Sequence, residues 1–99
     1  MIIYEVNLSV SKSISCKFKK WLNTHAESML IFPGFTKFLM YNVSSNNKNK
    51  INLCVHYYIK SEFYLEEYLT NNANKMRKEG LDLFKNKFTA NRRILTLCD

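Results

Sequence analysis

Seven side chains in this sequence have the types and placements that chemistry uses: Glu5, Asn7, Trp21, His25, His56, Arg92 and Arg93. Glu5 and Asn7 stand two apart in an apolar run, so an extended backbone turns both to one side. A buried amide must find hydrogen-bond partners. Asn7 therefore either orients a bound carbonyl or oxygen species or bonds across a subunit interface. A half-buried carboxylate has its pKa raised by desolvation and can serve as a base. Otherwise Glu5 pairs with an arginine, and Arg92 or Arg93 can reach it, only one of them per face. His56 falls on the same side as Asn7, so one pocket can hold both. Trp21 and His25 are one helical turn apart. They form either the helix wall of a ligand cavity, with the imidazole as an acid–base handle, or a packed pair whose ring bonds a carbonyl. Arg92-Arg93 can clamp an anion such as a carboxylate, although strand neighbours point opposite ways.

The elements that must position these groups are legible from periodicity. Residues 2–10 alternate, with Ile2, Tyr4, Val6, Leu8 and Val10 on one face and Ile3, Glu5, Asn7 and Ser9 on the other, the mark of a strand. From about 12 to 31 the period becomes helical, with Ile14, Phe18, Leu22, His25 or Ala26, and Met29 in a stripe. Ser11 or Ser13 is placed to cap this helix, and Pro33-Gly34 ends it. Strands are predicted over 35–43 and 51–59, joined by the polar tract 44–50. Ser61-Glu62 opens a second helix with the stripe Leu65, Tyr68, Leu69, Ala73 and Met76. Asn71, Asn72 and Asn74 favour a bend in it, Gly80 suits its end, and residues 88–97 make a last strand. Tyr4, Tyr41 and Tyr57 face the helices by alternation and are expected in the core.

This strand-helix-strand-strand-helix-strand order predicts an α+β, ferredoxin-like sandwich over residues 1–99: a four-stranded antiparallel sheet with two helices on one face. The uncovered face would carry Ile3, Glu5, Asn7, Phe38, Met40, Cys54, His56 and Tyr58. That set is too apolar for plain surface, so a second copy, a ligand or RNA is expected to cover it.

Composition narrows the function. Cys16, Cys54 and Cys98 are widely spaced, without a CxxC or clustered histidines, which argues against a disulfide framework or a metal site. The net charge of +7 invites nucleic acid. Its lysines are scattered over every segment, however, and the third strand lacks the glycine-flanked aromatics of an RNA-recognition motif. No apolar run spans a bilayer and no leader precedes the first strand, so a cytoplasmic protein is expected, with no cofactor.

Five strings carry a resemblance: Tyr4-Glu5-Val6-Asn7-Leu8; Trp21-Leu22 with His25 and Met29-Leu30; Pro33-Gly34-Phe35; Met76-Arg77 with Glu79-Gly80-Leu81 and Phe84; and Arg92-Arg93-Ile94-Leu95. Together they resemble a bacterial family of small proteins with a domain of unknown function, similar to a branch of the dimeric α/β barrel superfamily. The resemblance implies a homodimer joined through the open sheet faces and a cavity between sheet and helices. Other branches include cofactor-free monooxygenases of antibiotic biosynthesis and haem-degrading oxygenases. The haem-degrading branch uses an Asn, a Trp and a His, for which Asn7, Trp21 and His56 would stand, though Trp21 on the first helix departs from that branch. The expected function is to bind, or act without metal on, a small apolar or aromatic metabolite. The alternatives are a protein-interaction module without a ligand and an RNA-binding sheet.

Overall fold

In the computed structural model, which describes residues 1–99, strand β1 (Ile2–Ser11) leads through a short 3-10 turn into helix α1 (Ser15–Met29). Strands β2 (Phe35–Val43) and β3 (Lys50–Ile59) follow, then helices α2 (Glu62–Asn71) and α3 (Ala73–Phe84), a second 3-10 turn and strand β4 (Phe88–Leu95). The strands form one antiparallel sheet in the order β2-β3-β1-β4. All three helices lie on one face. The molecule is only 17 Å through its thinnest dimension, the depth of two layers, so the other face of the sheet is bare. No helix is long and apolar enough to cross a membrane.

The core lies where the periodicity puts it. Phe18, Leu22, Ala26 and Met29 of α1, Leu65 and Tyr68 of α2, and Ala73 and Met76 of α3 are buried against Tyr4, Leu8, Val10, Leu53, Val55, Tyr57 and Ile59 of the sheet. Each large apolar side chain so enclosed contributes about 1.5–3 kcal/mol. Neither Ser11 nor Ser13 caps α1 with its side chain. The chain enters that helix through the 3-10 turn instead.

The predicted second helix is two helices. Asn72 leaves helical geometry at φ −131°, while its N–H still bonds the Tyr68 carbonyl at 2.9 Å. The asparagine-rich segment thus re-aims the chain, and α3 approaches the sheet in its own direction. Gly80, expected to end the helix, lies inside α3, which runs on to Phe84. Its role is space: a Cβ there would come within 2.8 Å of the Trp21 ring.

The second correction concerns β2. Its pairing with β3 shifts between Phe35 and Lys37, leaving Thr36 as the extra residue of a bulge, pinned by its hydroxyl to the Tyr58 carbonyl at 2.9 Å. One inserted residue exchanges the faces of everything after it. Phe38 and Met40, expected on the open face, pair with Tyr57 and Val55 on the helix side. Leu39 and Tyr41 take their place, 41% and 44% exposed, so Tyr41 is not a core residue.

Gly34 makes the turn before this bulge at φ +85°, a region that suits glycine, and an added Cβ would collide with the Tyr64 side chain. Gly34→Ala therefore combines left-handed strain with overpacking and is expected to cost about 2–4 kcal/mol. Urea denaturation checks this, and a loss below about 1 kcal/mol would contradict it.

Candidate functional site

The central strand β1 splits the seven sequence-derived candidates into two groups on opposite faces. On the open face Glu5 lies opposite His56 of β3 and Arg93 of β4, and Asn7 lies opposite Cys54. Arg93 Nε donates to Glu5 Oε1 at 2.6 Å, Asn7 Nδ2 donates to the same oxygen at 2.7 Å, and His56 Nε2 donates to Oε2 at 2.8 Å. The carboxylate is only 5% exposed, beneath a cover one side chain thick. The hydrogen-bonded Arg93 holds its carboxyl well below the ordinary 4.5, at about 2, against the opposing pull of burial and with help from Asn7 and His56. Glu5 is thus an anion locked into a network, the ion-pair alternative, and not a base with a raised pKa.

Glu5, Cys54 and His56 offer ligand atoms within 4.8 Å of one another. Both Glu5 oxygens are already engaged, and burial together with the nearby Glu5 charge raises the Cys54 pKa, which keeps its thiol protonated. The trio fits a hydrogen-bonded network better than a metal centre, whose thiol ligand must be ionised.

The second group lies between sheet and helices. Trp21 and His25 stack with ring centroids 4.6 Å apart and planes 23° from parallel. Trp21 lies against the bare backbone at Gly80. Here the glycine allows the close approach of a ring to a helix. His25 Nδ1 lies 3.3 Å from Glu79 Oε1. Burial is the main influence on the imidazole and lowers its pKa below 6.5, Glu79 opposing. The ring is therefore neutral at pH 7. With Nδ1–H donated to Glu79, its Nε2 keeps a free lone pair.

These rings wall a cavity of about 50 Å³ that also meets Tyr4, Tyr57, Tyr68, Arg77 and Arg92. Arg77 Nη2 donates to the Tyr4 hydroxyl at 2.9 Å. Burial pushes the Tyr68 phenol up to about 12 and raises Tyr57 further still, so both remain neutral. Arg92 stands at the mouth, its side chain partly open to water. Burial of its head group lowers its pKa, and the Arg77 charge acts in the same direction.

Of the residues read from sequence, Trp21, His25 and Arg92 come together at this cavity, and Glu5, Asn7, His56 and Arg93 at the open face. Asn7 and His56 do not share a pocket with Trp21, because the sheet lies between them. A site built from Asn7, Trp21 and His56 is therefore excluded within one chain. Arg77, Tyr68 and Glu79 were missed. A sequence signal did exist: the chain has only three arginines among its 15 basic residues, and all three belong to one group or the other.

The fold is a ferredoxin-like α+β sandwich with a cavity between sheet and helices, and it is similar in fold to solved proteins of the antibiotic-biosynthesis-monooxygenase type. A proposed antibiotic biosynthesis monooxygenase from Deinococcus radiodurans aligns over 100% of this chain and 94% of its own, with TM-score 0.72 and 13% identity. SnoaB, a cofactor-independent oxygenase from Streptomyces nogalater, aligns over 99% and 94%, with TM-score 0.66 and 12% identity. The haem-degrader MhuD from Mycobacterium tuberculosis, solved with two haems in its active site, aligns over 96% and 94%, with TM-score 0.63 and 12% identity. At such identities the likeness concerns the fold alone. By sequence the chain belongs to the domain-of-unknown-function family DUF4286, whose profile matches residues 1–98. A comparison with curated proteins gives no match.

The Glu5 network sets an acid limit on stability. Its carboxyl is depressed in the folded chain, so its contribution is complete above pH 4.5 and is lost as the pH falls toward about 2. Glu5→Gln is expected to cost about 1–2 kcal/mol at pH 7 through its weakened hydrogen bonds and to flatten the loss between pH 4.5 and 2. Urea midpoints across that range check it; parallel pH profiles for the two proteins would contradict it.

Proposed function

We propose that the protein is a homodimer, joined through its open sheet faces, whose sheet–helix cavities bind a small apolar or aromatic metabolite. The observation that carries this reading is the cavity itself: aromatic walls around a few convergent polar groups, the usual make-up of a small-molecule site. A volume of about 50 Å³ holds a small polar group or a water or two but not a whole ring. Entry of the metabolite body therefore moves the Trp21–His25 wall or α3 outward, the kind of adjustment ligand sites make on closing and opening. The free Nε2 of His25 is placed to take a proton from what is bound, which needs no metal.

The dimer is supported from the other side of the sheet. The chain buries only 20 of its 99 residues, a thin core for a sequence that is 46% hydrophobic. Its open face exposes Leu39 and Tyr41 beside the capped Glu5 network. A second copy would bury these apolar groups and deepen the enclosure of Glu5, a purely structural use of that face.

Native mass spectrometry of the purified protein tests both parts. The expected spectrum shows a dimer carrying extra mass that is released on denaturation. A bare dimer would favour an interaction module, and a bare monomer would contradict the whole reading. Leu39→Asp, tolerated in the folded chain because the residue is exposed, is expected to weaken dimerisation at least a hundredfold, since it would bury an unpaired charge. An unchanged dimer in that variant would place the interface elsewhere.

A further inference from the structure

Arg77 carries the one sealed side-chain polar atom of this chain that lacks a hydrogen-bond partner, its Nε. Leaving such a donor unmet costs about 1–3 kcal/mol, and native structures rarely leave one without a use. The donor belongs to a residue that lines the cavity. The other end of the same guanidinium donates to the Tyr4 hydroxyl. With its oxygen occupied as an acceptor there, that hydroxyl has its own hydrogen to offer. Arg92 lines the same cavity. The carboxylates in contact with a basic or imidazole side chain are Glu79 with His25, Glu5 with His56 and Arg93, and Asp82 with Lys78, so neither Arg77 nor Arg92 has a carboxylate of its own.

We infer that the cavity recognises its ligand by a carboxylate, held between Arg77 and Arg92 with the Tyr4 hydroxyl as a further donor. This deepens the reading of the cavity as a metabolite site and rests on it. A carboxylate matches the existing space in volume, and the outward movement of α3 or of the Trp21–His25 wall that admits the apolar body would also uncover Arg77 Nε, which is sealed in the chain alone. Charge selects the class. The lining holds two arginines and no carboxylate, and Glu79, which bonds the lining His25, supplies one negative charge beside it at pH 7, so one more completes the balance. A carboxylate carries one at that pH; a phosphate monoester carries nearly two and a third acceptor oxygen. The planar fork of arginine also matches the two oxygens of a carboxylate.

Trp21 is the sole tryptophan, so its fluorescence reports on this cavity alone. Benzoate, phenylacetate and hexanoate are titrated into the wild-type protein at pH 7.5, each beside its neutral amide, with phenyl phosphate as the dianionic probe. At least one acid is expected to bind tenfold or more tightly than its amide and than phenyl phosphate. Arg77→Gln and Arg92→Gln are each expected to erase that preference while leaving the amide's affinity alone. Lys78→Gln, which removes an exposed charge next to Arg77, is expected to change neither. Circular dichroism confirms folding; Arg92, at the mouth, supplies the decisive variant if Arg77→Gln does not fold. Equal binding of acids and amides would overturn the carboxylate while leaving the metabolite cavity standing. Tighter binding of phenyl phosphate would overturn it in favour of a dianion. No binding by any probe would overturn both readings.

Discussion

Tyr4 and Glu5 are adjacent in sequence and lie on opposite sides of the sheet, and most of what this molecule can do follows from that. Strand β1 is central, paired on both edges, so its two-residue side-chain period is enforced by two hydrogen-bond ladders at once. Tyr4, Val6 and Leu8 face the helices and help line the cavity. Glu5 and Asn7 face the bare side and build the hydrogen-bonded network with Arg93. The same rule divides Arg92 from Arg93 on β4. A pair that reads as one basic clamp in sequence becomes one cation for the cavity and one for the network.

The elements were legible because their signals are local. The alternation of β1, the stripe Phe18-Leu22-Ala26-Met29 and the Pro33-Gly34 stop all depend on near neighbours, and the structure follows them. The face of β2 was not legible. It turns on the single inserted residue Thr36, whose hydroxyl bonds a carbonyl 22 positions away, and nothing in Phe35-Thr36-Lys37 announces the bulge. Gly80 failed for a related reason. Its glycine serves the close approach of Trp21, a contact between residues far apart in sequence, where a local reading sees a helix end.

The candidate site was half legible. Sequence supplies the right chemical types and even the right pairs, Glu5 with an arginine and Trp21 with His25. It leaves open whether the two pairs belong to one pocket, because no local signal shows the sheet standing between them. On the interior side α3, which starts at the break at Asn72, brings Arg77 and Gly80 to the cavity lined by β1 and α1. Arg77 gave little sign in a lysine-rich chain beyond its rarity. Lysine is a strongly hydrated point charge that suits open surface, whereas arginine tolerates enclosure and offers directed donors. In this chain the twelve lysines are scattered while the three arginines occupy the two clusters, which is how those properties would sort them.

The most direct test of the account is a crystal structure of the protein as purified, at a resolution that shows bound small molecules. The account expects two protomers with their open sheet faces together and density in the cavity within hydrogen-bond distance of Arg77 Nε. A solvent-exposed sheet face, with the cavity collapsed and Arg77 Nε bonded to another side chain of the protein, would contradict it.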